Sequence, residues 1–218
     1  MLVSRDHRDV FVSHACAAVV MGNQALLVDP AYSGFGVRHK EFEFEDDLRA
    51  TAIFLSSSKD LRRKKLALKL TPDWARPYFN LSTSLAGASR NSEAREYLER
   101  GLALAQDEHD WLPSYSEGIV EFYEGHAAQA IASLRRCLAI NPNHAPAHFF
   151  IGEILLELNR LQEARSEFLQ CLTNGVNIPA RDVADIGKRI DYIDRILSSQ
   201  TSSRESERNG NSTAEARP

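Results

Sequence analysis

Histidine and cysteine are the residues of this sequence that could bind a metal or act as nucleophiles, and their spacing argues against both roles. His144 and His148 stand four residues apart, but a proline between them disturbs a simple helical pair. We therefore interpret them as histidines of a surface turn. Cys16, Cys137 and Cys171 are odd in number and widely spaced, which argues against a disulfide scaffold and a CxxC zinc site.

Sequence motifs that are typical of common catalytic sites are absent from the sequence. It has no phosphate loop, no Gly-x-Gly-x-x-Gly, no nucleophile elbow and no His-Glu-x-x-His. We therefore predict no catalytic residue, no metal and no cofactor, and a protein that is not an enzyme.

Two clusters of like charge precede the middle of the chain. The acidic cluster suits the solvated start of a helix, where negative charge complements the helix dipole; it comprises Glu41, Glu43, Glu45, Asp46 and Asp47. The basic cluster is interpreted as a solvated helix face, with a docking site for an acidic partner as the alternative; it comprises Lys59, Arg62, Arg63, Lys64 and Lys65.

Composition limits the class of protein. The chain has 218 residues, of which 43% are hydrophobic, so it can bury a core as one domain with a small appendage. Its formal charge of −4 does not suggest a nucleic-acid binder. No apolar run is long enough to predict membrane insertion, and the amino-terminal residues do not resemble a secretory signal. We expect a reduced, cytoplasmic protein.

Small residues recur at a nearly constant offset through the middle of the chain. Gly118 and Gly152 are 34 residues apart, and the same offset separates two alanines and two cysteines. One repeat earlier the offset is 36, which a two-residue insertion in a turn would explain. The matching positions are Ala94, Ala130 and Ala164 in one column, and Gly101, Cys137 and Cys171 in another.

This pattern resembles the tetratricopeptide repeat (TPR) family, in which each unit of about 34 residues is a pair of antiparallel helices. The resemblance implies an all-α fold, a TPR-type helical-hairpin solenoid with a C-terminal capping helix. The array would span 59–178, with clear units at 75–108, 111–144 and 145–178 and a weaker unit at 41–74. Its small residues would lie where the paired helices cross closely, and the two cysteines would be small buried hydrophobes. Permissive turn residues would be Asn91, Gly125 and Asn159.

The carboxyl-terminal residues divide into two predicted segments. Residues 179–198 carry apolar residues at helical spacing and are interpreted as a capping helix over the last hairpin; these residues are Val183, Ile186, Ile190, Ile193 and Leu197. Asn177 to Pro179 would form the turn before it. Residues 199–218 have almost no apolar side chains and are predicted to be a disordered tail.

Residues 1–58 allow two interpretations. Ala18, Ala25 and Pro30 fit the second helix of an imperfect helical unit, which is the interpretation that we favour. Alternatively, Ala17–Met21 and Ala25–Val28 would form a β-hairpin about Gly22 and Asn23.

The second interpretation also resembles the opening hairpin of metallo-β-lactamase-like hydrolases. That fold would need a histidine-rich metal motif after a later strand. At the candidate place, Ala52–Asp60, the metal-binding histidines are missing, so this alternative function is a degenerate and inactive hydrolase region.

The repeat resemblance places function on the concave side of the array. The first helix of each unit would line a groove, and the fifth position of each unit would point into it. The predicted peptide-binding residues are Phe79, Asn80, Thr83, Tyr115, Ile119, Phe122, Phe149 and Glu153. Aromatic anchors suit an extended or helical peptide with apolar side chains. Packing of these aromatic residues between neighbouring units is the alternative.

The predicted function is therefore a non-catalytic protein–protein interaction module, an adaptor or chaperone-like binder of a protein or peptide partner. The resemblance permits a role in a secretion or assembly system and does not select one. A homo-oligomer is compatible with the sequence, and neither nucleic acid nor membrane insertion is expected.

Overall fold

The computed structural model divides the chain into two compact units, Met1–Ile140 and Asn141–Pro218. The described backbone comprises residues 2–5, 11–15, 17–21, 24–29, 34–35, 41–43, 47–107, 109–174 and 180–214. Side-chain burial is described for residues 48–49, 51–107, 109–174 and 181–201.

Short strands precede the helices of the first unit. They are β1 (Leu2–Arg5), β2 (Phe11–Ala15), β3 (Ala17–Met21), β4 (Gln24–Asp29), β5 (Gly34–Phe35) and β6 (Glu41–Glu43). They form two antiparallel sheets with the orders β2-β1-β6 and β3-β4-β5. The acidic cluster is thus not a helix start throughout, because Glu41 and Glu43 belong to a strand and only Asp47 begins a helix.

The helical interpretation of the amino-terminal region is wrong for these strands. β3 pairs with β4 so that Val19 lies opposite Leu26 and Met21 opposite Gln24. β-Branched residues such as Val19 and Val20 favour a pleated strand over a helix, which explains the outcome. The turn predicted at Gly22 and Asn23 lies outside the described residues.

From Asp47 onward the regular secondary structure of the described residues is helical. The first unit contains α1 (Asp47–Ser56), α2 (Leu61–Leu70), α3 (Ala75–Gly87), α4 (Asn91–Leu104), α5 (Trp111–Tyr123) and α6 (Ala127–Ile140). The second contains α7 (Ala145–Glu157), α8 (Leu161–Asn174) and α9 (Ala180–Ala214). The predicted all-α architecture of paired helices is confirmed for this part of the chain. The segment in which the hydrolase interpretation places its metal motif begins inside α1, which ends at Ser56.

The turn inside each of three hairpins contains one residue with left-handed backbone. These residues are Ser89 with φ 59°, Gly125 with φ 82° and Asn159 with φ 58°. Glycine and asparagine tolerate this conformation best, so the predicted turn residues Gly125 and Asn159 match it. Asn91 does not: it begins α4, and its side-chain amide donates to the Tyr123 carbonyl at 2.8 Å.

The small residues of the repeat lie where paired helices touch. A Cβ added to Gly118 would lie 2.6 Å from Cγ of Leu134, and one added to Gly152 would lie 2.8 Å from Cε1 of Phe168. Both distances are too short for real atoms, so larger residues would force the helices apart. The alanines of the next column are fully buried; they are Ala94, Ala130 and Ala164.

The capping helix is longer than predicted and fully buries only two of the five predicted residues. Ile186 and Ile193 are buried, whereas the predicted Val183 is 41% exposed. α9 continues to Ala214, so the tail predicted to be disordered is helical for most of its length. A shortage of apolar residues removes packing but does not stop a backbone hydrogen-bond ladder, and no proline interrupts this one. The predicted turn at residues 177–179 lies outside the described residues.

Candidate protein-interaction surface

The aromatic residue at the fifth position of the first clear repeat does not face a groove. Phe79 is only 1% exposed. Its ring lies against Gly101 of α4, where an added Cβ would come within 2.8 Å of Cε1 of Phe79. The predicted binding role of Phe79 is therefore wrong, because the absence of a side chain at Gly101 lets the ring pack inside the hairpin.

Tyr115 and Phe149 hold the same repeat position, but each is paired with a cysteine where Phe79 has Gly101. Burial and the neighbouring Cys137 raise the pKa of Tyr115. Burial raises the pKa of Cys171 to about 11, and a hydrogen bond with the backbone of Phe149 opposes this shift. Both rings are only partly buried. A thiol occupies space that the glycine leaves open, which accounts for the shallower position of these rings.

The middle and end of α5 differ in exposure. Ile119 is 2% exposed, so its predicted place on the binding surface is wrong. Phe122 is partly exposed, and its ring centroid lies 5.0 Å from that of Tyr123. The Tyr123 hydroxyl lies 3.6 Å from the position of a Cβ added to Gly87, at the end of α3. The last turns of α3 and α5 are therefore adjacent.

The polar residues predicted on α3 are held by contacts within the first unit. The Asn80 side-chain amide donates to Oγ of Ser56, the last residue of α1, at 3.0 Å. The Thr83 hydroxyl donates to the Asn80 carbonyl at 3.3 Å. Asn80 thus joins α3 to α1. Thr83 is half-buried on the same face of α3, about one helical turn further along.

Ser56 also accepts a hydrogen bond from Lys64, a residue that was predicted to lie on a solvated helix face. Lys64 is 7% exposed, and its Nζ donates to the Ser56 carbonyl at the end of α1. Burial lowers the pKa of Lys64. A cation at a helix carboxyl terminus satisfies carbonyls that have no partner within the helix. The interpretation of Lys64 as a surface residue is therefore wrong, and it connects α2 to α1.

In the second unit, the predicted binding residues of α7 are in contact with α9. The guanidinium carbon of Arg189 lies 5.2 Å from the Phe149 ring centroid, and the same guanidinium donates to both carboxylate oxygens of Glu153. This bidentate ion pair and the cation–π contact occupy both side chains. Arg189 was not among the predicted residues, because the spacing of residues along α9 does not show which charged side chain contacts α7.

His144 and His148 hold the start of α7 and are not turn histidines on the surface. His144 Nδ1 accepts a hydrogen bond from the Ala147 amide at 3.2 Å, and burial lowers its pKa to about 4. The side chain of His148 is 12% exposed. Its Nδ1 lies 2.7 Å from Oε2 of Glu167, and its Nε2 lies 3.1 Å from the Pro142 carbonyl oxygen. The Glu167 carboxylate raises the pKa of His148. The pair therefore has a structural explanation.

The described part of the chain offers neither a cluster of metal ligands nor a helix suited to a membrane. No three histidine, cysteine, aspartate or glutamate side chains among those residues converge to hold a metal ion. None of its helices combines the length and apolar character that crossing a bilayer would require.

Comparison with known proteins identifies the repeat. The tetratricopeptide repeat family matches residues 121–171, from the end of α5 to the end of α8. No curated protein sequence matches the chain.

Similar folds occur among solved structures of low sequence identity. PilF of Pseudomonas aeruginosa has a TM-score of 0.55 at 15% identity, with 73% of each chain covered. MamA of Desulfovibrio magneticus has a TM-score of 0.50 at 15% identity, covering 73% of this chain and 90% of that one. The type III secretion translocator chaperone SycD of Yersinia enterocolitica has a TM-score of 0.50 at 17% identity, covering 56% and 93%. These likenesses concern the fold, which is that of a helical-hairpin solenoid, and the family match shows that residues 121–171 contain a tetratricopeptide repeat.

Proposed function

We propose that the chain is a non-catalytic interaction module that binds a segment of a partner protein on the face shared by α3 and α5. These are the first helices of two neighbouring hairpins, and they contact each other. The observation that carries the proposal is the row on α5, where Tyr115 and Phe122 are both partly exposed. They stand about two helical turns apart, so they project from one side of the helix. Thr83 of α3 is the polar side chain of this face.

The chemistry of this face suits a peptide with apolar anchors. Aromatic rings bury a large area for little loss of side-chain freedom. Phe79 and Ile119 are excluded because they are buried, and Asn80 contributes less because its amide is bound to Ser56. Phe149 and Glu153 are excluded while Arg189 holds them.

The role that fits this module is that of an adaptor or a chaperone-like binder inside the cytoplasm. Buried, unpaired Cys137 and Cys171 suit a reducing compartment. A role in secretion or assembly is part of the proposal; its support is the similar fold of SycD, which is a translocator chaperone.

Site-specific photocrosslinking tests the proposal. A photoreactive phenylalanine analogue at Phe122 or Tyr115 of the full chain should capture a partner in cells. The same analogue at Arg135, an exposed position of α6, is the matched control. The captured protein, once purified, should bind the unmodified chain and should bind a Phe122→Ala variant at least about tenfold more weakly, a loss of about 1.4 kcal/mol. Equal crosslinking at all three positions, or equal binding by a folded Phe122→Ala variant, would contradict it.

A further inference from the structure

We infer that the outward face of α2 is a second interaction surface, and that it binds an acidic protein segment carrying an apolar side chain. This surface, named the α2 face, consists of Arg62, Lys65, Leu66 and Lys69, with Lys59 and Arg63 at its edge. It is separate from the α3–α5 face and does not depend on the function proposed there.

The α2 face carries positive charge that the rest of the described chain does not neutralise. Its one nearby acid, Asp60, accepts from the Arg62 amide at 2.9 Å and pairs with the Arg62 guanidinium at 3.2 Å. The remaining cations make no ion pair with any residue of the described part of the chain; they are Lys59, Arg63, Lys65 and Lys69.

Several arginines elsewhere in the first unit are paired with acids, although Arg135 is paired with no acid that the structure describes. Arg95 pairs with Glu124, and Arg136 pairs with Glu117 at 2.5 Å. Arg90 is held by Glu93, three residues further along its helix. The formal net charge of the chain is −4, so acidic residues are available to pair with its arginines. The sequence of α2 nevertheless contains no acidic residue, and Asp60 immediately precedes it. The excess positive charge of α2 is local.

Helix stability does not explain these cations. The first turn of α2 contains no acidic residue, and Arg62 and Arg63 lie there instead. Positive charge at a helix amino terminus opposes the helix dipole, so it weakens the helix. Lys65 and Lys69 are also four residues apart, a spacing at which like charges repel. Among the cations of the α2 face, only Lys69, in the last turn, complements the helix dipole. Helix stability therefore does not account for Arg62, Arg63 and Lys65, and binding explains their presence together.

Leu66 determines what kind of partner fits. It is 46% exposed and stands one turn from both Arg62 and Lys69 on the helix surface. The opposite side of α2 packs inward through Ala67 and Lys64. A single apolar side chain inside a ring of cations complements an acidic segment that presents one apolar anchor between carboxylates.

This arrangement fits a protein segment better than the other polyanions. Single-stranded nucleic acids stack their bases on aromatic side chains, and the α2 face has none. A helix that lies on a membrane buries a broad apolar face, and the α2 face offers one leucine. An acidic peptide needs neither feature.

The test uses full-length protein and a short fluorescent peptide that repeats glutamate with leucine at helical spacing. Fluorescence anisotropy should show binding that weakens as salt rises, because the charges are exposed. A Lys65→Glu, Lys69→Glu variant should bind about tenfold more weakly or worse. Leu66→Ser should weaken binding of this peptide, and it should have no effect on a peptide in which every leucine is replaced by serine.

Two controls separate binding from folding. Arg135→Glu makes the same kind of charge reversal on the exposed side of α6, where the cation has no ion pair among the described residues, and should leave peptide binding unchanged. Lys65→Glu alone places glutamate four residues before Lys69, which favours the helix, so it should lose binding without a lower melting temperature.

The same proteins are measured with vesicles that contain anionic lipid and with an oligonucleotide. Tighter binding to either of these than to the peptide would overturn the inference, as would equal peptide binding by the Lys65→Glu, Lys69→Glu and Arg135→Glu variants. None of these substitutions changes a residue of the α3–α5 face. A negative result here would therefore leave the function proposed for that face, and its photocrosslinking test, unaffected.

Discussion

Arg165 of α8 donates through its Nε to the carboxylate of Asp194 in α9, 2.6 Å away and 29 residues further along the chain. The first unit repeats this relationship between Arg95 of α4 and Glu124 at the end of α5, again with a separation of 29 residues. In both places the arginine directly follows the buried alanine in the first turn of the second helix of a hairpin. α9 therefore docks on its hairpin in the way that the first helix of another repeat would.

This docking predicts an uneven sensitivity of α9 to substitution. Ile193→Ala should lower the free energy of unfolding by about 2 to 4 kcal/mol, because it removes a fully buried side chain and leaves a cavity. Tyr192→Ala, at the adjacent and 50% exposed position, should cost less than about 1 kcal/mol. Urea denaturation of both variants measures the difference, and similar losses would show that α9 does not dock as described.

Gly101 is expected to tolerate no side chain. Gly101→Ala should destabilise the protein by about 1 to 3 kcal/mol, because the new Cβ would lie 2.8 Å from the Phe79 ring. Gly187→Ala in α9 is the matched control: nothing lies within 4 Å of its added Cβ, so it should stabilise by about 0.5 to 1 kcal/mol. Thermal unfolding with calorimetry compares the two. A stabilising Gly101→Ala would mean that Phe79 is not packed against α4.

The two histidines of α7 should titrate on opposite sides of their ordinary pKa of 6.5. The raised pKa of His148 stabilises the fold fully below pH 6.5, and this contribution is lost as the pH rises through its folded pKa. The lowered pKa of His144 acts the other way, so stability falls as the pH drops from 6.5 toward about 4.

NMR titration of the imidazole nitrogens measures both values directly. Glu167→Gln removes the carboxylate that lies 2.7 Å from His148, so its pKa should return toward 6.5 while His144 still titrates well below it. If the pKa of His148 were unchanged in this variant, the ion pair between His148 and Glu167 would be refuted.

Two buried serines in neighbouring repeats should respond differently to removal of their hydroxyl groups. Ser116 Oγ is buried without a hydrogen-bond partner, so Ser116→Ala should stabilise the protein by about 1 kcal/mol. Ser82 Oγ donates to the Phe79 carbonyl at 2.9 Å, so Ser82→Ala should cost about 1 kcal/mol or be neutral. Chemical denaturation of each variant decides between them, and a Ser116→Ala variant less stable than Ser82→Ala would contradict the assignment.

The sequence predicted the hairpins well because steric requirements leave a direct trace in residue size. Gly118 and Gly152 must be small at a fixed point of the helix crossing, and Gly125 and Asn159 must adopt left-handed backbone in the turn. Such constraints repeat with the structural unit, so a constant offset reveals them.

The candidate binding residues could not be predicted equally well, because exposure depends on the partner helix. Periodicity places Phe79 and Tyr115 at one repeat position, but the depth of each ring is decided by Gly101 or Cys137 about 22 residues away. The role of Arg189 had no local signal either. Its contacts with Phe149 and Glu153 depend on how α9 docks, which spacing along the chain does not encode.

The burial of Lys64 gives α2 lysines of two reactivities. Acylating reagents modify amines that water can reach, and Lys64 is only 7% exposed with its amine bound to the Ser56 carbonyl. Enzymatic or chemical acetylation would therefore cancel the charge of Lys59, Lys65 and Lys69 and spare the amine that joins α2 to α1. Acetylation would thus lower the affinity of the α2 face for an acidic partner and leave the contact between α1 and α2 unchanged.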